Sequence, residues 1–142
     1  MAVTAHLYPI GIQKLVQGSL DLDTHVLKVA LLNNTPTFDL AHDEFADVSA
    51  NEVAASGGYI AGGKALTTPA VSIISGNTVK LDFDDVTWGS STITAYKAVI
   101  YDDTASGDPL IAFIDFGGAQ TSTAGTFTLT FDANGLLNIQ AA

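Results

Sequence analysis

Gly58-Tyr-Ile-Ala-Gly-Gly63-Lys64 fits the first seven positions of a phosphate-binding loop, G-x-x-x-x-G-K. Such a loop needs a Ser or Thr after the Lys to hold magnesium, and a following helix whose N-terminal amides face the anion. Here Ala65 replaces the hydroxyl, and Leu66-Thr-Thr-Pro69 opens no helix. The segment is expected to be a Gly-rich loop or a bulged strand. Acids cluster at Asp21/Asp23, Asp82/Asp84/Asp85 and Asp102/Asp103, the oxygen-rich composition that calcium uses. Calcium-loop spacing fails, because the stretch from Asp21 has no third acid, no Gly at the sixth place and no Glu at the twelfth. Each cluster falls at an expected strand end, where Asp caps turns, so no metal ligands are nominated. His6, His25 and His42 stand far apart, and neither H-E-x-x-H nor G-x-S-x-G occurs. Carboxylate pairs can be drawn anywhere in a chain with fifteen acids and so carry no information. The expectation is a protein that is not an enzyme, with no catalytic residues and no cofactor.

Composition narrows the partners. The chain has 142 residues, a length that favours one domain. Five Lys, no Arg and fifteen acids, thirteen of them Asp, give a formal charge of −10. That balance repels phosphate backbones and anionic lipid, and Arg, the usual bidentate reader of phosphate and guanine, is missing. Neither nucleic acid nor a membrane is expected as a partner. There is no cysteine, which removes disulfides, zinc–thiolate sites and a thiol nucleophile together. No apolar run is long enough to span a bilayer, and the first residues lack the charged and apolar regions of a secretion signal.

The elements that would carry these residues read mainly as strands. Val26–Leu32 is a nearly continuous apolar run, suited to a strand buried on both faces. Val71–Ile74 and Thr78–Phe83 flank Ser75-Gly76-Asn77 as a hairpin. Thr92–Tyr101 and Leu110–Phe116 are β-rich and joined by a polar loop, Asp102–Pro109. Phe127, Leu129 and Phe131 alternate with threonines, and Asp132-Ala-Asn-Gly135 is expected to turn the chain into a return strand through Leu137 and Ile139. Gly117–Thr126 reads as a neutral loop, and residues 54–69 as a surface excursion or weak strand. A helix is expected over Pro9–Gly18. A shorter one is expected within His42–Val53, where Ser49 and Glu52 have capping-box spacing. The predicted fold is mainly β, a small antiparallel β-sandwich or barrel with one short N-terminal helix. Residues 1–19 are read as an N-terminal arm and helix, and 20–142 as a single β domain.

The placing of neutral surface is informative on so acidic a chain. Residues 1–13, 116–131 and 133–142 carry no side-chain charge apart from His6. Interface cores are depleted of charge, and residues 1–8 are expected to reach a neighbour as an arm. The interface residues nominated are Val3, Leu7, Tyr8 and Ile10.

Lys28-Val-Ala-Leu-Leu-Asn-Asn-Thr35, Asp47–Val53, Gly58-Tyr59 with Ala61-Gly-Gly63, Thr78–Trp88, Ser91–Thr94, Ala98–Tyr101, Leu110–Gly118 and Phe127–Ile139 together resemble small virion structural proteins of tailed bacteriophages. The resemblance covers most of the chain and does not extend before Leu20. It implies a virion structural protein and brings no catalytic residues. Acidity and the lack of Arg suit the outer capsid surface, away from DNA. The first expectation is therefore a capsid decoration (cement) protein. It would bind the major capsid protein and copies of itself, as a homo-oligomer such as a trimer. Alternatives are a tail- or fibre-associated adaptor, or a carbohydrate- or calcium-binding module in which Trp88 provides a stacking platform.

Overall fold

The computed structural model describes residues 3–141. Its spine is a long hairpin of β6 (Val86–Asp102) and β7 (Leu110–Leu129). Strand β1 (Thr4–Leu7) pairs antiparallel with β7, from Thr4 opposite Asp115 to Leu7 opposite Ala112. On the other side β2 (Leu27–Leu32) pairs with β6, and the two-residue β3 (Lys64–Ala65) closes that edge. The five-stranded order is β1-β7-β6-β2-β3. A second antiparallel sheet, in the order β4-β5-β8, is built from β4 (Ala70–Ile74), β5 (Thr78–Asp82) and β8 (Leu137–Gln140). The two sheets form a sandwich-like arrangement and not a closed barrel.

Period-two geometry explains the apolar run of β2, since successive side chains point to opposite faces. Leu27, Val29 and Leu31 join Ala98, Ile100 and Ile114 in one core, roofed by Leu81 of the second sheet. Ala30 and Leu32 join Val99, Tyr101 and Phe113 in another. That second core is covered by Tyr8, Phe38, Phe45 and Val48. Phe45 stacks on Tyr101 with ring centroids 4.2 Å apart, and Tyr8 meets Phe113 edge-on at 6.5 Å. Helix α1 (Pro9–Val16) starts at its Pro, and it packs so closely on β7 that a Cβ at Gly11 would lie 2.8 Å from the Leu110 carbonyl oxygen.

Several sequence expectations need correction. Residues 4–16 are not a separate arm: β1 is hydrogen-bonded into the main sheet, and Tyr8 is fully buried. Gly117–Thr126 is not a loop but the middle of β7, where β-branched threonines hold an extended chain against β6. Positive φ at Gly117 (75°) and Ala124 (46°) brackets this stretch, and the ladder shifts register between Trp88 and Ile93. The turn before Gly135 does form, with Gly135 N–H donating to the Asp132 carbonyl at 2.7 Å. It delivers the chain to β5 of the other sheet, so Phe127–Leu129 pair with Val86–Trp88 and not with Leu137. Helix α2 (Ala46–Ser49) ends at Ser49, where a capping box would have begun it. Asp47 instead accepts the Asp43 and Glu44 amides at 2.9 and 3.1 Å, which holds its carboxyl below the usual range.

Candidate interaction surface

The residues considered for chemistry are engaged in holding loops. Tyr59 Oη donates to Glu52 Oε1 (2.5 Å) and accepts the Leu31 amide (3.0 Å). The Gly62 amide donates to the same carboxylate oxygen (2.7 Å), and Tyr101 Oη donates to the Gly62 carbonyl (2.6 Å). In the phosphate-loop-like segment, then, an amide that would face an anion already holds a carboxylate. Gly63 lies against the Val29 carbonyl with no room for a Cβ, and β3 follows where a helix would be needed. Burial first, and then the Glu52 hydrogen bond, push the Tyr59 phenol far above its ordinary value.

The acids are spent in the same way. Asp21 accepts the Asp23 and Thr24 amides, and its carboxyl is held low first by the Thr24 hydroxyl and then by those amides. Asp84 accepts the Thr68 hydroxyl (2.6 Å), and Asp85 accepts the Phe131 amide (3.0 Å). Buried Asp102 meets His25 Nδ1 at 2.5 Å and accepts the Thr104 and Ala105 amides, clamping the β6–β7 turn to the start of β2. Among the described residues no group of three or more His, Asp or Glu side chains is arranged to hold a metal ion. Trp88 is no exposed platform: it is 5% exposed, between Tyr59 and Phe127.

The four nominated interface residues divide. Ile10 is half-buried against the second core, and Tyr8 belongs to its interior, so neither offers a surface. Burial pushes the Tyr8 phenol far above its usual value. Val3 is 64% exposed, and with half-buried Leu7 it lines a groove of about 820 Å³ floored by Ile114, Phe116 and Phe127. The opposite wall is the 132–136 turn, and among the described residues Asp132 is the one carboxylate of the lining. Strand β1 covers the edge of β7 only from Ala112 to Asp115. Beyond it, Gly117–Leu129 has a strand partner on the β6 side alone among the described residues. A sheet edge of this kind is a template for an added strand, and natural edges are usually blunted by charge or proline. This one has neither.

A second apolar surface was missed at the level of sequence. In the three-stranded sheet, Val71–Leu81–Leu137 and Ile73–Val79–Ile139 form two cross-strand rows on one face. Leu81 is buried, whereas Val71, Ile73 and Ile139 are 55%, 73% and 52% exposed. The alternation was visible in the chain. That this face is larger than the core beneath it was not, because overhang is a property of sheet placement. Comparison with known protein families, characterised proteins and solved structures gave no match to this chain.

Proposed function

We propose that this chain is a structural protein of a tailed-bacteriophage virion, a decoration protein bound to the outer capsid surface. The observation that supports the reading best is the groove between β1 and the 132–136 turn: apolar on its floor, nearly free of charge, and set on a molecule of net charge −10. A nearly neutral surface on so acidic a molecule is suited to contact with another protein. The partners are the major capsid protein and further copies of this chain, and the reading assigns no catalytic residue or cofactor. Its mechanism is linkage. A ligand that binds the assembled shell and not its separated subunits stabilises the shell against opening. The edge of β7 beyond Asp115 gives the capsid a place to add a strand, with alternate side chains descending onto Phe116 and Phe127.

Electron cryomicroscopy of particles decorated with a labelled antibody tests this. The expected result is label over the whole capsid lattice. Label confined to the tail or one vertex would replace decoration with the adaptor reading, and unlabelled particles would remove the virion assignment.

A further inference from the structure

We propose that the overhanging face of the three-stranded sheet is a second docking site, for a short aliphatic segment of another protein that carries Lys or Arg beside its apolar residues. The inference is independent of the virion reading and uses a different surface. Its floor is the pair of rows holding Val71, Val79 and Ile139, and its wall is Leu15 with Leu20 and Leu22. Together they enclose a groove of about 350 Å³. Contiguous exposed aliphatics of this kind on a small domain mark an interaction site. Such scattered exposure is ordinary for single residues, but here cross-strand register makes Ile73, Val79 and Ile139 direct neighbours.

Two observations select the occupant. Among the described residues the only charged ones lining the groove are Asp21 and Asp23, both exposed. The lysine of this sheet, Lys80, is on the opposite face, bound to Asp82 and the Ala133 carbonyl. The rim is therefore negative and unneutralised, which favours a cationic partner and disfavours a second copy, whose own Asp21 and Asp23 would be brought up against it. Shape points the same way. The site is a cleft between a sheet and the segment after α1, which a narrow segment enters more readily than the flat sheet of another copy.

Fluorescence anisotropy with three dye-labelled short peptides tests the proposal: alternating Leu/Lys, alternating Ser/Lys and alternating Leu/Glu. The Leu/Lys peptide is expected to bind at least about tenfold more tightly than either control, and the double variant Val71→Ser/Ile139→Ser, which removes exposed apolar lining without changing charge, to weaken it by about tenfold or more. Equal binding of Ser/Lys would reduce the site to bulk charge, and equal binding of Leu/Glu would remove the acidic rim from recognition. Unchanged affinity in the variant would place the binding elsewhere and overturn the proposal. So would sedimentation showing that the unaltered chain dimerises and the variant does not. Should the double variant misfold, Val71→Ser alone gives the same reading, because that side chain lines the groove and is 55% exposed.

Discussion

The two ends of the β6–β7 hairpin are one pair of strands in two environments. At the turn end, Lys97–Asp102 and Leu110–Asp115 are flanked by β1 and β2 and covered on both faces. At the far end, Val86–Ala95 and Gly117–Leu129 extend past both neighbours, with Trp88, Ile93 and Phe127 buried on one face and Thr87, Thr94, Thr121 and Thr128 exposed on the other. The turn end contains Lys97, Tyr101, Asp102 and Asp115, each fixed by packing or hydrogen bonds. The far end contains no titratable side chain at all. Charge tolerated where it is tied down, and excluded where a sheet edge lies open, separates the part of the hairpin that builds the fold from the part available for contact.

Removing residues 3–8 should break this contrast most severely. It takes away β1 and the Tyr8 that fills the second core, so the cooperative thermal transition should be lost. An unchanged melting curve would restore the detachable arm expected from sequence. Next in size, Phe113→Ala in the doubly covered half should cost about 3–5 kcal/mol in denaturant titration. Thr121→Ala, on the far half, should stay within about 0.5 kcal/mol. Similar costs at the two positions would erase the distinction.

Alkaline pH should act through the buried phenols. Tyr8, Tyr59 and Tyr101 all have phenols pushed up, chiefly by burial. The folded state therefore holds these protons more tightly than the unfolded chain. Their contribution is fully present below about pH 10, the ordinary phenol value, and is lost as pH rises above it. In a Tyr96→Phe background, which leaves these three as the only tyrosines, tyrosinate absorbance should accordingly appear together with unfolding, and ionisation well before unfolding would contradict the burial. A small effect is also expected of Tyr8→Phe. The Tyr8 hydroxyl is enclosed without a hydrogen-bond partner among the described residues, so replacing it should be neutral or stabilising by no more than about 1 kcal/mol.

Local patterns were readable in the chain, and long-range placement was not. The aliphatic run at Leu27–Leu32, interrupted only by Lys28, announced a strand covered on both sides, and Pro9 announced a helix start. The Ser75-Gly76-Asn77 turn likewise announced the β4–β5 hairpin. Gly117–Thr126 misled because glycine, serine and alanine signal a loop locally, whereas pairing with Thr94 and Ala95 decides the conformation. The return strand misled because a turn fixes where a chain reverses but not which sheet receives it. Among the nominated surface residues, Val3 and Leu7 reach the groove. Tyr8 and Ile10 do not, since neutrality alone cannot separate an interface residue from a core residue. The 58–64 segment shows the converse: Gly63 is required, but by its close approach to Val29 and Ala30 of β2 and not by a phosphate.

The central claim is that the nearly neutral groove between β1 and the 132–136 turn binds an assembled shell and stabilises it. Particles stripped of this protein, then supplied with either the unaltered chain or a Val3→Asp/Thr126→Asp variant that still folds, measure this directly through the temperature at which the shell opens. The unaltered chain should raise that temperature and the variant should leave it at the value of bare particles. Equal stabilisation by both, or none by either, would contradict the account.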